Sequence, residues 1–78
     1  NRILMKAVKE TPPPSPGGKQ LRFFYGTQVR QSPPSFLVFL TRPDLVPDSY
    51  RRYLENSFRR ELDLKGVPMN IVFRRREH

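Results

Sequence analysis

The sequence predicts an α+β domain of order α-β-β-α-β, a three-stranded sheet with two helices packed on one face. Apolar residues at helical spacing occur at the N-terminus and again beyond residue 48. Alternating or continuous apolar runs occupy 19–30, 35–41 and 69–75. Proline- or glycine-bearing segments separate these stretches and set their limits.

Asn1 to Glu10 is the first expected helix. Ile3, Leu4, Ala7 and Val8 share one face, and Arg2, Lys6 and Lys9 take the others. Thr11-Pro12-Pro13-Pro14 ends it, because proline lacks a backbone N–H and restricts the residue before it. Lys19 to Arg30 alternates, with Leu21, Phe23, Tyr25, Thr27 and Val29 as the expected core set. After Gln31-Ser32-Pro33-Pro34 comes a second strand, Ser35 to Thr41. Its unbroken Phe36-Leu37-Val38-Phe39-Leu40 suits a strand central in its sheet or covered on both sides. The short connector makes these two an antiparallel hairpin, and the simplest sheet is antiparallel throughout.

Asp48 to Leu62 is the second helix, with Asp48 or Ser49 as its N-terminal cap. Tyr50, Tyr53, Leu54, Phe58 and Leu62 form its buried stripe. Glu55 precedes Arg59 by one helical turn, the favourable order for an ion pair. Gly66 suits a left-handed turn position. The third strand, Met69 to Arg75, turns Met69, Ile71 and Phe73 to one side.

The 78 residues allow one domain, 1–78, with a small core. Only 36% are apolar, so six Phe and three Tyr must fill much of that core. The chain opens on Asn1 rather than Met, which reads as a segment of a longer protein. Cysteine is absent, which excludes disulfides, thiol nucleophiles and Cys-based zinc sites. No apolar run approaches the roughly 20 residues that span a bilayer, and no membrane partner is expected.

Catalytic patterns are missing as well. Gly17-Gly18-Lys19 lacks P-loop spacing, and Gln20 stands where a Mg²⁺-binding hydroxyl belongs. His78 is the single histidine and sits at the chain end, where a loose terminus explains it better than a ligand role. Glu61 with Asp63, and Asp44 with Asp48, fall at helix ends or in loops, where capping and solvation account for them. No catalytic, cofactor or metal residue is therefore assigned.

Charge is the informative feature. Fifteen Lys and Arg against seven Asp and Glu leave a net +8, which points to a polyanionic partner. Arg51, Arg52, Arg59 and Arg60 on the second helix, and Arg74, Arg75 and Arg76 leaving the third strand, are the RNA-contact candidates. A guanidinium matches phosphate as a planar fork and gives affinity and salt dependence rather than sequence specificity. A solvated face, or salt bridges to a neighbouring domain, is the competing reading. Phe24 and Tyr25 suit base stacking, although alternating strand aromatics more often pack in a core.

Several pieces together resemble the C-terminal domain of the bacterial Der (EngA) GTPases. They are Pro12-Pro13-Pro14, Gly18, the run from Lys19 to Val29, Pro33-Pro34-Ser35-Phe36, Ser49 to Asn56, Gly66-Val67-Pro68 and Phe73-Arg74-Arg75-Arg76. The resemblance covers nearly the whole chain. It implies a KH-like fold and two GTP-binding domains upstream, where GTP and Mg²⁺ would bind. It implies docking on those domains, a cytoplasmic, ribosome-associated location and a part in assembly of the large ribosomal subunit. It also implies a monomeric isolated segment with no cofactor of its own and ribosomal RNA as a partner. One departure matters. RNA-binding KH domains clamp the backbone with a GxxG loop, yet Thr41 to Asp48 holds no glycine. RNA contact then falls to the arginine-rich surfaces.

Overall fold

The computed structural model describes residues 2–76, so the expectations placed on Asn1 and His78 lie outside the described residues. The elements run α1 (Arg2–Glu10), β1 (Phe23–Gln31), β2 (Pro34–Leu40), α2 (Asp48–Leu62) and β3 (Asn70–Arg75). Two short 3-10 turns, Pro16–Gly18 and Pro43–Leu45, lie between them. The order is the expected one. The β1–β2 connector contains a cis Ser32–Pro33 peptide bond.

The sheet order is β1-β2-β3, which makes β2 central as its unbroken apolar run implied. β1 and β2 are antiparallel, whereas β2 and β3 are parallel, so the sheet is mixed rather than antiparallel throughout. The cause is the connection. Residues 41–69 carry a complete helix across the sheet, and such a crossover returns the chain in its original direction.

β2 alternates cleanly. Phe36, Val38 and Leu40 are buried beneath the helices, while Leu37 and Phe39 lie half-buried on the opposite face. Leu4 and Ala7 of α1, Tyr50, Leu54 and Phe58 of α2, and Ile71 of β3 complete the core. Leu4, Val38, Leu40 and Leu54 are fully buried. The α2 stripe is thus the expected one, except that Leu62 at its end is exposed and Ser57 is buried. Ser57 Oγ donates to the Tyr53 carbonyl one turn back, which satisfies it.

The β1 expectation needs correction. Leu21 and Phe23 face the core, but Tyr25, Thr27 and Val29 are exposed. Phe23 pairs with Leu40 and Tyr25 with Phe39, so two residues of β1 oppose one step of β2. This bulge inserts one residue and inverts the alternation as far as Gln28, after which a second irregularity, with Gln28 opposite Phe36 and Arg30 opposite Ser35, leaves Val29 without a register partner. Gly26 then faces inward, where an added Cβ would sit 3.4 Å from both Leu4 Cδ2 and Val38 Cγ2. A residue with little bulk lets α1 lie close on the sheet.

Two helix-end expectations also change. Pro47 occupies the α2 N-cap position and neither Asp48 nor Ser49 caps by side chain; the amides of Tyr50 and Arg51 instead donate to the Pro47 carbonyl. Arg59 does not pair with Glu55. Its Nη1 donates to the carbonyls of Leu64 and Val67, which fastens the turn after α2. In that turn Gly66 has φ +75°, the left-handed conformation expected of it.

Candidate nucleic-acid interface

The arginines expected to contact RNA do not form one site. Arg51 and Arg59 serve the fold. Arg51 Nη2 donates to the Ile71 carbonyl on edge strand β3, and its Cζ lies 5.1 Å from the centre of the Phe73 ring. Arg52 and Arg60 project from the exposed side of α2, with Arg60 Nε 3.8 Å from Glu61. Arg74, Arg75 and Arg76 are exposed at the end of β3.

On the open sheet face, away from the helices, sequence reasoning missed a partner. Phe39 stacks on Tyr25, with centroids 4.7 Å apart and planes at 27°. Arg74 stands opposite Phe39 in register, so Tyr25, Phe39 and Arg74 form one cross-strand row. The row beside it is Thr27, Leu37 and Val72. Next to Tyr25, Phe24 takes two guanidiniums on its ring, Arg76 at 4.7 Å and Arg22 at 5.6 Å. The bulge puts Phe24 and Tyr25 side by side on this face, against the alternation that assigned Tyr25 to the core. Arg22 and Phe39 carried no separate signal in the sequence, because their roles depend on cross-strand register.

Negative charge is confined to one part of the molecule, although the helices carry basic residues as well. Glu10, Asp44, Asp48, Glu55, Glu61 and Asp63, the carboxylates among the described residues, all lie in or next to helices. None lies in a strand. Ion pairs among the described residues join Lys6 to Glu61, Arg42 to Asp44 and Arg60 to Glu61. The Arg42 guanidinium beside Asp44 holds that carboxyl below its usual range. Among the described residues, Arg22, Arg52, Arg74, Arg75 and Arg76 have no carboxylate within ion-pair distance. Arg75 still acts on Asp44 from beyond that distance and helps to lower its pKa, which leaves Arg22, Arg52, Arg74 and Arg76 as the guanidiniums most available to phosphate among the described residues.

An apolar cleft of about 210 Å³ between α1, β1 and the end of α2 is lined by Ile3, Leu4, Gly26, Phe36, Phe58 and Leu62, with Thr27 and Gln28 at its wall. It contains no titratable side chain. No helix is long and apolar enough to cross a membrane among the described residues.

A parallel β2–β3 pair joined by α2, with α1 beside α2 on one face of the sheet, defines a small basic α+β module of KH-like order. The chain belongs to the KH-domain-like family found at the C-terminus of the EngA bacterial GTPases, whose profile matches residues 1–74. It is 56% identical to GTPase Der of Desulforudis audaxviator over 77 residues, covering 99% of this chain and 18% of that protein. It is 47% identical to GTPase Der of Natranaerobius thermophilus over 74 residues, covering 95% of this chain and 17% of that protein. Against GTPase Der of Limosilactobacillus reuteri the identity is 43%, with 99% and 18% covered. The chain thus spans under a fifth of the length of these relatives.

Proposed function

We propose that this chain is the C-terminal module of a Der-type GTPase that acts in assembly of the large ribosomal subunit. In this reading the module docks on the GTP-binding domains of its own polypeptide and contacts ribosomal RNA through its basic surfaces. GTP and Mg²⁺ bind in those upstream domains, and the module performs no chemistry itself. The whole protein works in the cytoplasm, in association with the ribosome.

The observation that carries the RNA reading is the confinement of negative charge outside the strands. Strands without a single carboxylate run into Arg74, Arg75 and Arg76, and none of these three forms an ion pair among the described residues. Binding of ribosomal RNA by the full-length protein across a salt series tests it. Affinity that falls steeply with salt is expected, since each phosphate neutralised releases counterions. A flat salt response, or no binding at low ionic strength, refutes it.

A second reading is a regulatory module that touches only protein. Half-buried Leu37 and exposed Val72, adjacent on the open sheet face, favour it. In that case removing the module alters GTP hydrolysis while leaving affinity for RNA unchanged.

A further inference from the structure

We infer that the open sheet face is a stacking platform for unpaired RNA bases, with Tyr25 as the stacking ring and Arg22, Arg74 and Arg76, two of them seated on Phe24, as its phosphate contacts. The inference rests on the RNA reading above and assigns it a place and a mode.

Exposure is the first argument. Tyr25 is 40% exposed although it stacks on Phe39, so one side of an aromatic pair stands in solvent. A ring needed only for packing would lie on the core side, where Leu21 and Phe23 already are. The bulge that moves Tyr25 outward also places Phe24 next to it, which assembles three aromatic rings on one face. Every base has a π-face, so such a surface binds single strands with little regard to sequence.

The second argument is the setting of the charges. Arg22 and Arg76 lie over the ring of Phe24. A guanidinium held on a ring still carries the planar fork of donors that matches a phosphate. Arg74 shares a row with Tyr25 and Phe39. Positive charge therefore flanks the aromatic row, on edge strand β3 and just ahead of β1, with the uncharged Phe39 and Leu37 of central β2 between. Complementarity favours a polyanion, because no strand carries a carboxylate.

A three-stranded sheet surface accepts splayed bases but cannot enter the deep major groove of duplex RNA. The platform thus prefers single strands.

The test uses full-length protein and fluorescence anisotropy with labelled oligouridine, beside an RNA duplex of equal length. Tyr25→Ala is expected to weaken oligouridine binding by roughly tenfold and to leave duplex binding unchanged. Tyr25→Phe, which keeps the ring, should restore affinity. Arg74→Gln and Arg76→Gln should each lower the salt slope by about 0.7, the increment for one phosphate of a single strand. Circular dichroism confirms that each variant is folded. Unchanged oligouridine affinity in Tyr25→Ala overturns the platform, and if Arg52→Ala then abolishes binding, RNA contact lies on α2 instead. Weakened association with the GTP-binding domains in Tyr25→Ala, with RNA affinity unchanged, assigns the face to protein docking and also overturns the platform. Failure of the unsubstituted protein to bind any RNA refutes the broader reading itself.

Discussion

Tyr53 donates its hydroxyl to the carbonyl oxygen of Ala7 across 2.6 Å, tying α2 to the last turn of α1. One turn earlier on α2, Tyr50 does the same to the Thr11 carbonyl at 2.7 Å. The Ala7 carbonyl also accepts the Thr11 amide at 3.0 Å, so Tyr53 is its second donor, while Tyr50 holds the residue just past the helix end. The two phenol rings pack 5.4 Å apart.

Replacing Tyr53 with Phe keeps the ring and removes only the donor. The expected cost is about 1 kcal/mol, the net value of one such hydrogen bond. Tyr50→Phe should cost a similar amount. Urea denaturation midpoints measure both, and a shift below a few tenths of a kcal/mol would mean that water replaces the phenols at no loss.

Burial pushes the Tyr50 phenol up from 10.0 to about 12, with the neighbouring Tyr53 adding to the rise. The folded state therefore holds this proton more tightly than the unfolded chain does. Its contribution to stability is complete below about pH 10, where both states are protonated. It is lost as pH rises through about 12, and amounts to at most about 3 kcal/mol. Alkaline unfolding should thus begin above pH 10. Tyr50→Phe should flatten the dependence, read as the denaturation midpoint against pH.

Close approach of α1 to the sheet depends on Gly26. A Cβ there meets Leu4 and Val38 at 3.4 Å, the near edge of ordinary contact. Gly26→Ala should consequently be tolerated, with a stability change within about 1 kcal/mol. Gly26→Val should cost about 1–3 kcal/mol by forcing the helix away. Leu4→Ala, at a fully buried position, should cost about 2–5 kcal/mol. Thermal melting of the three variants gives this order, and equal melting temperatures for Ala and Val at position 26 would contradict the packing.

The element order, the central place of β2, the stripe of α2 and the family were legible because each rests on local spacing or composition. What was hidden depended on tertiary geometry. The bulge at Phe24 runs against the alternating apolar pattern of Lys19 to Arg30, since it turns Gly26 inward in place of Tyr25. One inserted residue reversed the side assigned to Tyr25, and with it the difference between a core ring and an exposed one. Strand direction was legible in the connection rather than in the runs, because the helix expected at 48–62 makes a crossover that favours a parallel β2–β3 pair, and the antiparallel expectation overlooked it. Arg51 and Arg59 looked like surface charge, but the carbonyls that hold them belong to Ile71, Leu64 and Val67, and only folding brings them near.

That division among the arginines predicts two classes of variant. Arg51→Ala removes a hydrogen bond to β3 and the packing on Phe73, and should lower stability by about 1–2 kcal/mol. Arg59→Ala releases the turn through Leu64 and Val67 and should lower it by about 1 kcal/mol. The guanidiniums of Arg52, Arg60, Arg74, Arg75 and Arg76 hold no backbone carbonyl among the described residues, unlike those of Arg51 and Arg59. Their alanine variants should therefore melt within about 0.5 kcal/mol of the parent, except Arg76→Ala, which also loses its contact with the Phe24 ring and should cost about 0.5–1 kcal/mol. Any change they make should appear as weaker RNA binding with a shallower salt slope, about 0.7 for each single-strand phosphate no longer neutralised. Thermal melting and salt-dependent anisotropy on one panel of seven variants separate the classes. A weakened affinity for Arg51→Ala means little alone, because a loosened β3 also displaces Arg74. The informative comparison is Arg74→Ala against Arg51→Ala: the first should lose affinity at full stability, the second stability first.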